Sequence, residues 1–199
     1  LTGPFILRRM KADVLKELPP KTENIHRIEL EEEQRKLYLA AVVDARDKLR
    51  AAKPEDKMAV FAVLMRLREI CCDPRLIADN WAGGSAKLDA CTELVTSAVE
   101  GGHRILLFSQ FTSMLELLAR RLEEEGISHF TLQGSTPKPM RAERVRRFNN
   151  GEASVFLISL RAGGTGLNLT AADIVIHYDP WWNVAAQNQA TDRAYRIGQ

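Results

Sequence analysis

The sequence predicts an α/β fold: a mostly parallel sheet with helices on both faces, plus a helical protrusion. From residue 85 onward helical and strand patterns alternate, as they do where helices connect parallel strands. Residues 155–160 and 174–179 are apolar runs of the length of a buried strand. Before residue 85 two helical patterns follow each other directly, and we expect them to form the protrusion.

Composition sets limits on the class of protein. The chain has 199 residues, of which 45% are hydrophobic, enough for one α/β domain with an appendage. A net charge of +2 is small, so a nucleic-acid surface would have to be a local patch. Three cysteines without Cys-x-x-Cys spacing fit a reducing compartment, and four mutually distant histidines predict no metal site. The sequence has no run of membrane-spanning length and no signal peptide, so we expect an intracellular protein.

The first part of the chain precedes the main domain. Residues 1–30 are a charged lead-in segment, and Pro19 with Pro20 ends any helix there. Within it, residues 22–30 alternate imperfectly between apolar and polar side chains, which predicts a possible strand.

Residues 31–84 predict the protrusion and its hinge. Helix formers dominate residues 31–51 and 55–70, and in the second helix we expect Met58 and Phe61 to face a core. Residues 82–85, with two glycines and a serine, would return the chain to the main domain at 85–199.

The main domain then follows a regular order. Glycines after residues 100 and 125 end the first two helices. The predicted elements are a helix at 87–100, a strand at 104–110, a helix at 113–125, a strand at 129–133, a helix at 140–149, strands at 155–160 and 174–179, and a helix at 184–195.

Two segments near the middle could face an anion. Ser135 and Thr136 precede a helix, where a hydroxyl cap could form a phosphate site or only an ordinary N-cap. The helix that follows is rich in arginine, and either lines a nucleic-acid backbone or is a solvated face. Its arginines are Arg141, Arg144, Arg146 and Arg147.

A glycine-rich loop at 161–168 follows one of the apolar strands. Three glycines in four positions allow a tight turn and a close approach to a ligand. The loop follows the carboxyl end of its strand, which is where open α/β sheets bind ligands.

The last predicted helix carries a polar face. Gln189, Arg193 and Arg196 are spaced i, i+4, i+7 and therefore share one side. Two guanidinium groups one turn apart can bind neighbouring polyphosphate oxygens, as arginine fingers do during phosphoryl transfer. The alternative is a solvated face on which Asp192 pairs with Arg196.

Six blocks together resemble the second RecA-like lobe of the Swi/Snf-type ATPases, the DNA translocases of helicase superfamily two. Their order and their spread over the whole chain make the resemblance specific. The blocks are FILRR (5–9) with LPPK (18–21), LREIC (67–71), ILLFSQF (105–111), GST (134–136), AGGTGLNL (162–169) and QATDRAYRIGQ (189–199).

The resemblance implies a two-lobed motor that binds ATP and Mg²⁺, mainly through its first lobe, and double-stranded DNA across both lobes. Arg193 and Arg196 would be arginine fingers with Gln189 beside them, and Gly166 and Asn168 would lie near the nucleotide. The expected DNA contacts are Ser109, Gln110, Ser135, Thr136, Arg161, Gly163, Gly164 and the aromatic Trp182. The helical protrusion of the family would correspond to about residues 31–80. The protein would be associated with DNA in the cell.

Three residues depart from the family pattern, and one motif is missing. Val184 stands where proline is usual, and Asp73 and Tyr195 stand where histidines are usual, which bears on the path of the aromatic loop. No glycine is followed by lysine, so the chain lacks a Walker-type phosphate loop, and it lacks the acidic magnesium box. We therefore expect half of a motor that does not hydrolyse ATP alone. The alternatives are a Rossmann-type nucleotide enzyme and a non-catalytic interaction module.

Overall fold

A computed structural model of the chain describes residues 22–51, 57–163 and 167–192. Two helices come first, α1 (Glu32–Ala51) and α2 (Lys57–Cys72), followed by a 3-10 turn at Pro74–Leu76. The remaining elements are α3 (Ala86–Glu100), β1 (Ile105–Ser109), α4 (Thr112–Glu124), β2 (His129–Leu132), α5 (Lys138–Asn149), β3 (Val155–Ser159), α6 (Leu160–Gly163), β4 (Ile174–His177) and α7 (Val184–Thr191).

The four strands of the described chain form one sheet in the order β2-β3-β1-β4, and all three strand pairs are parallel. Ile105 of β1 lies opposite Val155 of β3 on one side and Ile174 of β4 on the other. Because the strands run in one direction, the segments that follow them meet at the carboxyl edge of the sheet. The predicted parallel α/β fold is confirmed.

Helices cover both faces of this sheet, as predicted. In β1, Ile105 and Leu107 pack against α3 and α4, whereas Leu106 and Phe108 pack on the opposite side with Phe148 of α5. The split follows from the strand geometry, because successive side chains point to opposite faces. All five residues of β1 are buried, which explains why the strand reads as an almost continuous apolar run.

The sequence of α4 explains both its packing and its end. Met114, Leu118 and Leu122 are four residues apart, share one side of the helix and are all buried against the sheet. The chain then turns at Gly126, whose φ of 69° is a conformation that a side chain would disfavour. The apolar stripe and the glycine together fix the position of this helix.

The predicted helical pair is present, but it is more exposed than expected. Gln34 of α1 donates a buried hydrogen bond of 2.8 Å to the backbone carbonyl of Ile70 in α2. Met58 and Phe61 do not face a core: Met58 is 75% exposed, and Phe61 instead contacts the ring of Trp182. A pair of helices buries only the side chains between them, so an apolar periodicity alone overestimates burial.

Two local predictions were wrong. Residues 22–31 form neither strand nor helix, and their side chains are exposed except for a partly buried Leu30. No strand in residues 22–51, 57–163 or 167–192 pairs with this segment, and an unpaired strand is not stable. The glycine-rich loop also begins later than predicted, because α6 first makes one helical turn, in which the Ala162 N–H donates to the Ser159 hydroxyl.

Candidate functional site at the carboxyl edge of the sheet

The loop after β1 is held by its own serine and by a distant aspartate. The Ser109 hydroxyl is fully buried, donates to the Phe111 carbonyl at 3.3 Å and accepts from the Phe111 N–H at 3.1 Å. The backbone N–H of Gln110 donates to both carboxylate oxygens of Asp179, at 3.1 and 3.0 Å. The Ser109 side chain therefore stabilises the loop from within. Gln110 is partly exposed and lies nearer to solvent than Ser109 does.

Asp179 lies two residues after the end of β4 and is only 3% exposed. Burial raises the pKa of its carboxyl group from 3.8 to about 6, although hydrogen bonds from Gln110 and Ser109 oppose the shift. The positive charges of Lys87 and Arg68 lower the pKa by smaller amounts. A buried carboxylate thus connects the end of β4 to the loop after β1.

Arg68 of α2 holds the aromatic segment that follows. Its Nη2 atom donates to the Pro180 carbonyl at 2.8 Å, and its guanidinium lies 5.1 Å from the Trp181 ring centre and 4.8 Å from that of Trp182. The two indoles are 4.5 Å apart, and Phe61 meets Trp182 edge-on at 6.0 Å. Trp182 remains 52% exposed, so its ring can still contact a ligand.

Replacing Arg68 with lysine should loosen this aromatic cluster. Lysine keeps the charge but lacks the planar group that lies over both indoles. We expect weaker near-ultraviolet circular dichroism from the tryptophans and a loss of about 1 kcal/mol in the free energy of unfolding.

The matched control is Arg66→Lys, an exposed position on the same helix. Identical spectra and unfolding curves for Arg68→Lys and the wild-type chain would contradict the assigned role of Arg68.

A second contact joins the helical pair to the sheet. The Tyr178 hydroxyl donates to the carbonyl of Cys72, the last residue of α2, at 2.9 Å, and Lys87 lies 4.9 Å from the Tyr178 ring centre. Burial raises the pKa values of the Tyr178 hydroxyl and the Cys72 thiol, the latter to about 12, so both groups are neutral near pH 7. Two consecutive residues, Tyr178 and Asp179, therefore tie β4 to its surroundings.

The segment after β2 differs from the predicted helix cap. The residue preceding α5 is Pro137, which offers no side-chain hydrogen bond, so Ser135 and Thr136 do not cap the helix. The Thr136 hydroxyl instead accepts from the Gln133 N–H at 3.0 Å. Arg141 donates to the carbonyls of Gly134 and Thr136, each at 2.7 Å. Ser135 is exposed at the tip of this turn.

The arginines of α5 are all engaged by neighbouring groups, which favours the solvated-face alternative over a free basic stripe. Arg141 holds the turn described above, and Arg144 donates to the Thr131 carbonyl. Arg146 pairs with Glu143 at 2.8 Å, and Arg147 pairs with Glu152 at 2.7 Å.

The remaining expected residues, some for DNA and some for the nucleotide, belong to α6, α7 and the segments next to them. Arg161 and Gly163 are in α6, and the Arg161 side chain is exposed. Asn168 is exposed, with its carbonyl accepting from the Asn149 amide at 2.9 Å. Gln189 is exposed on α7. The expected Gly164, Gly166, Arg193 and Arg196 lie outside the described residues.

The position of α7 is fixed by β4. The His177 ring stacks on Phe108, and its Nε2 atom lies 2.9 Å from the Thr191 hydroxyl of α7. Ala190 is buried in the same cluster as the β1 and β3 side chains. The helix that carries Gln189 is therefore attached to the carboxyl edge.

The sequence did not single out Arg68 or Asp179 as site residues. A weak signal existed for both, because Arg68 lies in the LREIC block and Asp179 ends an apolar strand. Among the described residues no cluster of three or more histidine, cysteine or acidic side chains could hold a metal ion. None of the described helices is long and apolar enough to cross a membrane.

Comparison with protein families gives two matches. The model described as "Helicase conserved C-terminal domain" matches residues 86–198, and the "SNF2-related domain" model matches residues 1–76. The first match covers more than half of the chain and includes the whole sheet.

Similar proteins and structures agree with these matches. An uncharacterised ATP-dependent helicase of Mycoplasma pneumoniae is 39% identical over the full chain, which spans 19% of that protein. The mouse SWI/SNF-related, matrix-associated, actin-dependent regulator of chromatin subfamily A member 1 is also 39% identical, over 98% of the chain and 20% of its own length. The Sulfolobus solfataricus SWI2/SNF2 ATPase core in complex with double-stranded DNA matches with a TM-score of 0.78 and 31% identity, over 99% of this chain and 43% of that one. The chain thus spans about a fifth of these curated relatives.

Proposed function

The chain belongs to the Swi/Snf-type ATPases of helicase superfamily two, as their C-terminal RecA-like lobe, and we propose that it completes an ATP site and holds double-stranded DNA. In the whole protein it would act with a first RecA-like lobe of the same polypeptide. The activity would be a DNA-dependent ATPase that moves along the duplex and remodels protein–DNA complexes.

The observation that carries this proposal is the convergence of three segments at the carboxyl edge. The loop at Gln110, the aromatic segment at Trp182 and helix α7 follow β1 and β4, which are adjacent parallel strands. Ligands of open parallel sheets bind at this edge. A solved relative has duplex DNA bound to its ATPase core, which supports a DNA surface on this lobe too.

The proposed roles divide between nucleotide and DNA. Arg193 and Arg196, assisted by Gln189, would neutralise charge on the transferred phosphoryl group. Gly166 and Asn168 would lie beside the nucleotide. The proposed DNA-phosphate contacts are Gln110, Ser135, Thr136, Arg161, Gly163 and Gly164, with Ser109 shaping its loop from inside and Trp182 as the aromatic contact.

The described residues fit a lobe that contributes hydrogen-bond donors rather than metal ligands. Asp179, an acidic residue at this edge of the sheet, is buried and accepts a hydrogen bond from the Gln110 N–H. We therefore assign Mg²⁺ coordination and the phosphate cradle to the first lobe. ATP, when bound between the lobes, supplies the phosphoryl group, and this lobe supplies positive charge opposite it.

Translocation then follows from alternating contacts with the DNA backbone. Closure of the two lobes around ATP would bring the arginines to the phosphates, and hydrolysis would release them. Backbone contacts carry no sequence information, so this lobe would bind any duplex and would be associated with DNA in the cell.

The test is ATP hydrolysis by the whole protein with and without duplex DNA. We expect DNA to stimulate the rate, with an affinity that falls steeply as salt rises. We expect the isolated chain to hydrolyse no ATP and to bind mononucleotides weakly. Tight mononucleotide or dinucleotide binding by the isolated chain would support a Rossmann-type enzyme instead, and salt-independent DNA binding would favour an interaction module.

A further inference from the structure

Asp179 is a buried carboxylate with an unusual set of neighbours. Its two oxygens both accept from one backbone N–H, that of Gln110, 69 residues earlier in the chain. Arg68 from α2 and Lys87 from α3 act on it electrostatically. In the part of the chain that the structure describes, no cation lies within salt-bridge distance of its oxygens. Its main direct contact is therefore with the loop after β1.

The buried charge of Asp179 lowers the free energy of unfolding at neutral pH. Because burial raises the pKa of Asp179 to about 6, the folded chain binds that proton more tightly than the unfolded chain does. Its contribution to stability therefore falls as pH rises from about 4 to about 6, and the full penalty remains above pH 6. A neutral side chain of the same shape would avoid the penalty. Residues that lower stability in this way are found where function requires them.

A carboxylate is also the side chain best suited to this contact. Both of its oxygens are acceptors, and the Gln110 N–H donates to both of them. Asparagine offers one acceptor and an NH₂ group, so only one of the two contacts with the Gln110 N–H would remain. A carboxylate therefore holds the Gln110 N–H more firmly than a neutral amide of the same shape.

We propose that Asp179 is a positioning residue, whose carboxylate fixes the backbone of the Ser109–Gln110 loop in the conformation that contacts DNA. The proposal rests on the proposed function, because it assumes that this loop meets the DNA backbone. Asp179 itself touches neither DNA nor nucleotide. It acts through Gln110, and it links the loop to the aromatic segment at Trp182, three residues after it.

The groups around Asp179 determine how pH acts on this contact. Arg68 and Lys87 are the basic groups that act on Asp179. The raised pKa of the Cys72 thiol and that of the Tyr178 hydroxyl keep both of those groups neutral between pH 5 and 8. His177, two residues earlier, packs on the other face of the sheet against Phe108. Protonation of Asp179 below about pH 6 removes one acceptor and loosens the loop.

The experiment compares Asp179→Asn with the wild-type whole protein. We measure the thermal midpoint and the concentration of duplex DNA that gives half-maximal ATPase stimulation, both from pH 5.5 to pH 8. The variant should be as stable as wild type or more stable at pH 7.5, and should need about tenfold more DNA. In wild type the required DNA concentration should rise below about pH 6, and this rise should be absent from the variant.

The matched control is Asp173→Asn, at the opposite end of β4. Asp173 accepts from His103 at 2.6 Å and from the Arg104 N–H at 2.9 Å. Partial burial raises its pKa, but these hydrogen bonds outweigh burial and lower it overall. The control should therefore be less stable than wild type and should keep the wild-type DNA requirement.

Two results would overturn the proposal. One is an unchanged DNA requirement in Asp179→Asn. The other is a lower thermal midpoint that accompanies the weaker DNA response, since that would indicate a purely structural carboxylate. A wild-type protein without DNA stimulation would instead contradict the proposed function, so the two failures are distinguishable.

Discussion

Replacing Arg193 with alanine in the whole protein is expected to lower kcat for DNA-stimulated ATP hydrolysis by about 10³-fold or more. The guanidinium group is the proposed partner of the charge that develops on the phosphoryl group, and it offers a fixed fork of donors. Arg196→Ala should have an effect of similar size, because the two arginines are proposed to act together. The measurement is steady-state ATPase activity at saturating DNA.

The control for this prediction is Arg146→Ala. Arg146 is an exposed arginine of the same lobe that pairs with Glu143, and it has no proposed role in the site. It should retain wild-type kcat. If Arg193→Ala and Arg196→Ala both hydrolyse ATP at the wild-type rate while remaining folded, the proposed arginine fingers are wrong.

The second large effect is expected on stability. Phe156 of β3 is fully buried between the rings of Phe130, at 6.1 Å, and Phe148, at 5.3 Å. Phe156→Ala would leave a cavity at the centre of the face that α5 covers. We expect the free energy of unfolding to fall by about 3–5 kcal/mol, measured by urea denaturation of the chain.

Leu94→Ala serves as the comparison, because Leu94 lies on α3 with 38% of its surface exposed. Its loss should cost less than about 1 kcal/mol. Equal costs at the two positions would mean that the core does not lie where the structure places it.

Most of the fold could be predicted from the sequence because its elements follow local rules. Continuous apolar runs indicated β1 and β3, and the spacing of Met114, Leu118 and Leu122 indicated α4. Parallel strands followed from the helices between them. Residues 22–30 do not form the predicted strand. A strand also needs a partner strand, and a local sequence pattern does not reveal that partner.

The site was harder to predict because its contacts are distant in sequence. Arg68 reaches the Pro180 carbonyl 112 residues later, and Asp179 reaches the Gln110 N–H 69 residues earlier. Neither contact produces a periodic pattern in the sequence. The Thr136 hydroxyl shows the opposite case: its position before a helix suggested a cap, but the adjacent Pro137 redirected it to the Gln133 N–H. Residue type and position alone did not show whether this hydroxyl caps the helix or accepts a hydrogen bond within the turn.

The measurement that most directly tests the central claim is ATP-dependent displacement of a third DNA strand from a triplex by the whole protein. A motor that moves along intact duplex should release the third strand at a rate that depends on ATP, without separating the duplex, and Arg193→Ala should abolish the release. DNA-stimulated ATP hydrolysis without any third-strand release would contradict the account of this chain as the second lobe of a duplex translocase.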